Sequence, residues 1–329
     1  MIHRAVLAGA GIGLAAGIVA NASALPGIAH ALTAAPKDPY AQPGRLALLP
    51  DHRRLNFVCL GRGSPTVILE SGFGAGAFAW GRVQPRIAAV TRVCAYDRAG
   101  YGFSDPGPLP RDGEAIARDL DRGLRAARIN GPFVVVGHSA GGLYARLFAA
   151  RRRADIAGMV FVDPSIEHQP QRVAALFGQP VGGLEGIRRQ PLRCLELLRT
   201  PTAVPTEADR TACAAGVGRP GMARDPATWK TQLSELDTLF AETSDEVDRT
   251  GTLLKGIPAI VLTAGASDGP SPTPEDAGAQ AWQLFHRQLA AGFLHGEQRP
   301  VKSGHLMMNQ RPEVVAGAAI ELVTAARKR

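Results

Sequence analysis

Apolar positions in this chain fall into short continuous runs separated by amphipathic stretches. The runs Leu55–Leu60, Thr66–Glu70, Arg92–Tyr96, Phe133–Val136, Gly158–Val162, Ala259–Thr263 and Arg299–Lys302 predict strands. Most lack polar alternation, the mark of strands covered on both faces. Between them, apolar spacing near 3.6 residues predicts helices at Trp80–Val90, Glu114–Ile129, Leu143–Arg153, Trp229–Thr243, Glu275–Ala291 and Glu313–Arg327. Regular alternation of strand and helix predicts an α/β fold, a mostly parallel central sheet flanked by helices. The tight Gly61–Pro65 turn leads us to expect antiparallel pairing of the first two strands.

The alternation breaks once. From Ser165 to Gly256, about ninety residues carry no clear strand and much proline, glycine, threonine and charge, too long for a plain loop. A helical cap or lid at 166–256 is expected, inserted into a core of 45–165 and 257–329, over the sheet edge where ligands bind. Its apolar residues, Leu184, Ile187, Leu192, Leu195, Leu197, Leu198, Trp229, Leu233, Leu236, Leu239 and Phe240, either wall a pocket or pack the cap on the core.

The beginning of the chain has a different pattern. His3 and Arg4 precede an uncharged run, Ala5 to Ala20, and then Ala22-Ser23-Ala24. This order fits a cleaved signal peptide over 1–24, followed by a flexible lead-in at 25–44. The protein is therefore expected to be secreted or periplasmic. Membrane contact is expected only through residues 1–24 if they stay attached as an anchor. Export permits disulfides. Cys194 and Cys213, in one polar region, are expected to pair locally, whereas Cys59 and Cys94 are either strand neighbours or separate buried thiols.

Composition narrows the partners. The 329 residues are 45% hydrophobic and 20% charged, as in a globular protein, with a net charge of +8 from scattered arginines. Arg151-Arg152-Arg153 and Arg327-Lys328-Arg329 are the tight basic runs, and neither is interleaved with aromatics, so no nucleic-acid partner is expected. No H-E-x-x-H or clustered ligand set occurs, so neither metal nor organic cofactor is expected.

Gly137-His138-Ser139-Ala140-Gly141 lies between the strand Phe133–Val136 and the helix beginning near Leu143. Strand, G-x-S-x-G turn and helix make a nucleophile elbow, with small residues two positions either side of a strained serine. Of the eight histidines, His305 is the candidate base. It follows a strand-like run on Ser303-Gly304 and precedes the last helix, at the sheet edge that displays Ser139. His138 is expected to point away from the serine. His168 opens the cap, where it could touch substrate, and His286 and His295 read as helix-face and loop positions. Asp268, in the turn after Ala259–Thr263, is preferred as the orienting acid, with Asp163, ending Gly158–Val162, as its rival. The backbone N–H groups of Ala140 and of Phe73, in Ser71–Gly76, are the candidate oxyanion donors.

These residues resemble the α/β-hydrolase family in its capped, serine-nucleophile form. The resemblance rests on Glu70–Gly74, Asp97–Ser104, Gly137–Gly142, Gly265–Pro272 and Ser303–His305, in the family's order of serine, acid, histidine. It implies a serine hydrolase of small-molecule carboxylic esters, or of amide or carbon–carbon bonds on the same triad. A non-catalytic binding protein that kept the fold is the alternative from another class. Ser71-Gly72 stands where members often carry His-Gly, and the gap between acid loop and His305 is long, which keeps Asp163 in play. The family's strand order sets the Cys59 strand beside the Cys94 strand, which allows a cross-strand disulfide. A serine nucleophile argues against the epoxide-hydrolase and dehalogenase branches, which use aspartate.

Overall fold

A computed structural model describes residues 38–177, 184–200, 202–215, 225–265 and 277–329. The segment 1–24 and the preferred acid Asp268 lie outside them. Strands β1 (Arg45–Leu48), β2 (Arg54–Leu60) and β3 (Thr66–Glu70) are followed by α1 (Gln84–Ala88), β4 (Val93–Tyr96) and α2 (Gly113–Ala126). Next come β5 (Phe133–His138), α3 (Gly141–Arg151) and β6 (Ile156–Val162). Among the described residues, five helices separate β6 from β7: α4 (Gln169–Phe177), α5 (Leu184–Arg199), α6 (Glu207–Ala215), α7 (Pro226–Leu239) and α8 (Glu242–Thr250). The chain closes with β7 (Ala259–Ala264), α9 (Ala277–Ala291), β8 (Gly296–Val301), α10 (Met307–Gln310) and α11 (Pro312–Arg327).

The eight strands form one sheet in the order β1-β2-β4-β3-β5-β6-β7-β8, parallel from β4 to β8 and antiparallel at β1–β2 and β2–β4. The expected pairing of the first two predicted strands is thus corrected: β4 lies between β2 and β3. The antiparallel partners of β2 are β4 and β1, a strand too short and exposed for its apolar pattern to announce it. A sheet neighbour is set by which edge buries the strand best, and chain adjacency alone does not decide it.

Alternate residues of the same strand feed two cores. Val135 and Phe161 point into the layer of α2, α3 and α8, while Val134, Val136, Val160 and Val162 meet α1 and α11. Cys59 stands opposite Cys94 in the β2–β4 register, and the two form a disulfide. A second disulfide, Cys194–Cys213, joins α5 to α6. It packs with Leu195, Trp229 and Leu233 as a small core within the helices that follow β6. The last of those helices belongs to the main body. Thr243 Oγ1 and Glu246 Oε2 of α8 accept from the N–H groups of Gly113 and Glu114 at the start of α2, and Val247 is fully buried. The helix predicted at Trp229–Thr243 starts earlier, where Asp225 caps α7 ahead of Pro226, and breaks at Phe240. The one predicted at Trp80–Val90 shrinks to a short turn at Ala77–Trp80 and α1. Among the described residues no helix is long and apolar enough to cross a membrane.

Candidate active site

Ser139 sits at the tip of the turn between β5 and α3 with φ 51°, a left-handed conformation that a non-glycine residue adopts at a cost. The turn closes only because its flanks are bare. A Cβ on Gly137 would stand 2.5 Å from the Gly141 carbonyl oxygen, and one on Gly141 would stand 2.6 Å from the carbonyl oxygens of Glu70 and Ser71. Ser139 is tied by backbone to β6 and the turn beyond it: its N–H donates to the Val162 carbonyl at 3.2 Å, and its carbonyl accepts from Ser165 N–H at 2.9 Å.

His305 Nδ1 donates to Asp163 Oδ2 at 2.7 Å. The carboxylate that the structure brings to the histidine is therefore Asp163, the rival candidate, while the preferred Asp268 lies outside the described residues. Asp163 also has a left-handed backbone, φ 44°, at the end of β6. Its other oxygen, Oδ1, accepts from Ala264 N–H at 2.9 Å and from the Trp282 indole N–H at 2.7 Å. Burial works to raise Asp163, but the hydrogen bonds from His305, Ala264 and Trp282 overcome it and hold the carboxyl below its ordinary value. It stays ionised, as a group that orients an imidazole must.

Two further histidines surround this pair. His138 is buried and donates from Nε2 to the His305 carbonyl at 3.0 Å, with the two rings 4.7 Å apart. Burial, reinforced by His305, pushes it down to about 4, so it is neutral. His286, fully buried on α9, donates from Nε2 to the Pro164 carbonyl at 2.8 Å and takes the Thr263 hydroxyl on Nδ1 at 3.0 Å. Trp282 and His286, one helical turn apart with rings 4.7 Å apart, thus hold the side chain of Asp163 and the carbonyl of the next residue. Their apolar helical spacing hid this role: a histidine on an amphipathic helix gives no sign of what it faces. His168, which opens the stretch after β6, pairs with Asp248 at 2.9 Å.

Ser139, His305 and Asp163 share the wall of a cavity of about 910 Å³. Phe73 and Ala140, the expected oxyanion donors, line it too. The rest is largely apolar: Val173 and Phe177 from α4, Leu184 and Ile187 from α5, Leu236 and Leu239 from α7, then Phe240, with Trp282 and Phe285 from α9. The apolar residues of the predicted cap therefore divide between two tasks, since Leu195, Trp229 and Leu233 pack internally. A smaller cavity of about 300 Å³ meets the same Ser139, His305 and Phe73 and is bounded by Phe78, Leu306 and Met308. Among the described residues no group of three or more His, Cys, Asp or Glu could hold a metal ion.

Beneath the loop after β3 lies a buried ionic cluster. The Arg98 guanidinium, 2% exposed, pairs with Glu70 at 2.9 Å and with Glu235 of α7 at 2.8 Å. It also donates to the carbonyls of Ser71 at 2.6 Å and Gly72 at 2.8 Å. The Tyr96 hydroxyl bonds Glu70, and burial pushes that carboxyl up to about 7 against the pull of Arg98.

Residues 67–319 match the model of the alpha/beta hydrolase family. An uncharacterised protein of Bacillus subtilis, YqjL, is 24% identical over 267 residues, covering 81% of this chain and 86% of that one. An uncharacterised Schizosaccharomyces pombe protein is 41% identical over 81 residues, 25% of this chain but only 15% of its own length. Among solved structures, a thermophilic esterase from Thermogutta terrifontis is similar with TM-score 0.58 and 22% identity, covering 87% of this chain and 99% of that one. The haloalkane dehalogenase DatA from Agrobacterium tumefaciens has TM-score 0.61 and 19% identity, with 88% and 100% covered. At these identities the structural likeness speaks for the fold alone.

Proposed function

This chain belongs to the alpha/beta hydrolase family, and on that premise we propose that it hydrolyses carboxylic esters through Ser139, His305 and Asp163. One observation carries the reading: His305 is held on Nδ1 by an ionised, buried carboxylate, in the wall of a cavity that also exposes Ser139. With Nδ1–H engaged, Nε2 is the nitrogen left to act as base. Ser139 Oγ adds to the ester carbonyl as its proton passes to His305 Nε2, and the Phe73 and Ala140 N–H groups receive the oxyanion. Collapse expels the alcohol, protonated by His305. Water then attacks the acyl-enzyme by the same route in reverse and releases the acid.

The apolar wall favours a neutral substrate with a substantial hydrocarbon part. Helices α4, α5 and α7 act as the cap that supplies much of that wall, and the two disulfides support an exported protein. The test is hydrolysis of p-nitrophenyl esters from acetate to palmitate by the wild type and by Ser139→Ala. Serine-dependent turnover is expected, with fluorophosphonate labelling lost in the variant. Ester hydrolysis that survives Ser139→Ala would sink the assignment.

A further inference from the structure

We propose that Arg98 is the positioning residue of the oxyanion hole, fixing the direction of the Phe73 N–H, and that Glu235 couples this to the cap helix α7. The inference rests on the serine-hydrolase reading above. Its physical basis is the planarity of the peptide. The Gly72–Phe73 bond is not among the cis peptides of the chain, so the Gly72 carbonyl and the Phe73 N–H point in opposite directions. Arg98 takes the Gly72 carbonyl at 2.8 Å and the Ser71 carbonyl at 2.6 Å. Both peptides are thereby turned so that their N–H groups face away from the guanidinium.

On the other side of the loop stands the nucleophile. A Cβ on Gly72 would lie 3.1 Å from Ser139 Cβ, and Phe73 borders both cavities that meet Ser139. A donor worth its place in an oxyanion hole must be aimed before the charge develops. Within the glycine-rich loop itself the Gly72 carbonyl is met only by a long bond from Ala75 N–H at 3.3 Å, a weak hold on residues with several backbone conformations open to them. Arg98 adds two shorter bonds from a rigid planar fork. The guanidinium is itself held from both ends, by Glu70 at the end of β3 and by Glu235 on α7, and its face is covered by Tyr101 and Tyr144 at 4.9 and 5.3 Å. Three residues of the same stretch as Glu235, Leu236, Leu239 and Phe240, wall the large cavity. The helix that shapes the substrate chamber and the loop that carries the donor therefore meet on one cation.

The experiment compares wild type with Arg98→Lys and Glu235→Gln. Lysine keeps the charge but loses the fork, and glutamine keeps the shape but loses the charge. The readouts are p-nitrophenyl butyrate kinetics, affinity for an alkyl trifluoromethyl ketone, and affinity for hexanoate. With the ketone, Ser139 Oγ adds to the carbonyl carbon, its proton moves to His305 and the oxygen becomes the oxyanion. Hexanoate serves as a ligand with no tetrahedral oxyanion. In Arg98→Lys we expect kcat to fall about 100-fold with KM changed less than about 3-fold, the loss typical of a misaimed catalytic group. Ketone affinity should fall in parallel and hexanoate affinity hold within about 2-fold. Glu235→Gln should follow the same pattern with a fall of about 5- to 10-fold.

Equal losses for ketone and hexanoate would reduce Arg98 to a structural residue and overturn the proposal. Unchanged kcat in folded Glu235→Gln also overturns it, whether or not Arg98→Lys folds. The rate of Ser139 labelling by a fluorophosphonate separates this from failure of the ester reading. Slowed labelling in Glu235→Gln upholds the inference even if no ester is turned over by the wild type. Normal labelling beside normal ester turnover leaves the ester reading standing and removes Arg98 from its role.

Discussion

Trp282 donates its indole N–H to Oδ1 of Asp163 at 2.7 Å, on the opposite oxygen from the one that holds His305. The indole also lines the large cavity. One aromatic residue therefore serves both as cavity wall and as a fixed donor to the Asp163 carboxylate. His286, one turn further along α9, secures the carbonyl of Pro164 and so the left-handed turn on which Asp163 is carried. The acid is held through side chain and backbone at once, as an orienting group needs if it is to keep one imidazole tautomer.

Asp163→Asn should lower kcat by about 10³- to 10⁴-fold, because the amide that replaces the carboxylate no longer stabilises the imidazolium or selects its tautomer. Asp268→Asn should keep kcat within about 3-fold. Steady-state ester hydrolysis by the two variants measures this directly, and the reverse ranking would hand the acid role to Asp268.

Trp282→Phe keeps an aromatic wall and deletes the donor. A fall of about 10-fold in kcat, with KM little altered, is the expected result. Trp282→His, which can present an N–H from a flat ring, should recover part of it. A rise in KM at constant kcat would instead mean that the indole serves the chamber alone.

His138 makes stability depend on pH. The folded protein holds it neutral, down to about 4, while in the unfolded chain it takes up a proton below about 6.5. The unfolded state thus binds more protons as pH falls from 6.5 to 4, and stability drops across that window by on the order of 3 kcal/mol. The facing groups are His305 and Asp163. Urea unfolding of wild type beside His138→Gln, whose amide can still reach the His305 carbonyl, isolates the effect. The wild type should lose stability relative to the variant over that range, and parallel curves would refute the account.

Ile187 is 48% exposed and borders the large cavity from α5. Ile187→Trp should narrow the chamber without disturbing the core, lowering turnover of long-chain p-nitrophenyl esters about 10-fold or more while acetate stays within about 2-fold. An unchanged chain-length profile would show that acyl chains take another path.

Much of the site was legible in one dimension because its logic is local. A β-branched run, a turn of small residues around Ser139 and a helix behind it are contiguous, and a steric rule about glycine links them. The alternation of apolar runs and amphipathic stretches likewise determined a mostly parallel α/β sheet, since a strand buried on both faces has to be apolar throughout. His305 was recognisable from its place after the last strand.

Only the tertiary structure decided which carboxylate faces that histidine. Asp163 and Asp268 each follow one of two neighbouring parallel strands, β6 and β7, so chain order treats them alike. The left-handed backbone at Asp163 and the donors from α9 and β7 bring its carboxylate to His305. The same holds for β4, which enters between β2 and β3, and for Trp282 and His286, which their helix presents as ordinary apolar-face residues. It holds for Arg98, whose five donors are shared among residues 26 to 137 positions away. Patterns along a chain record what a residue must be buried with or turned by locally. Which distant group meets it depends on how layers pack, and that information exists only once the sheet has formed.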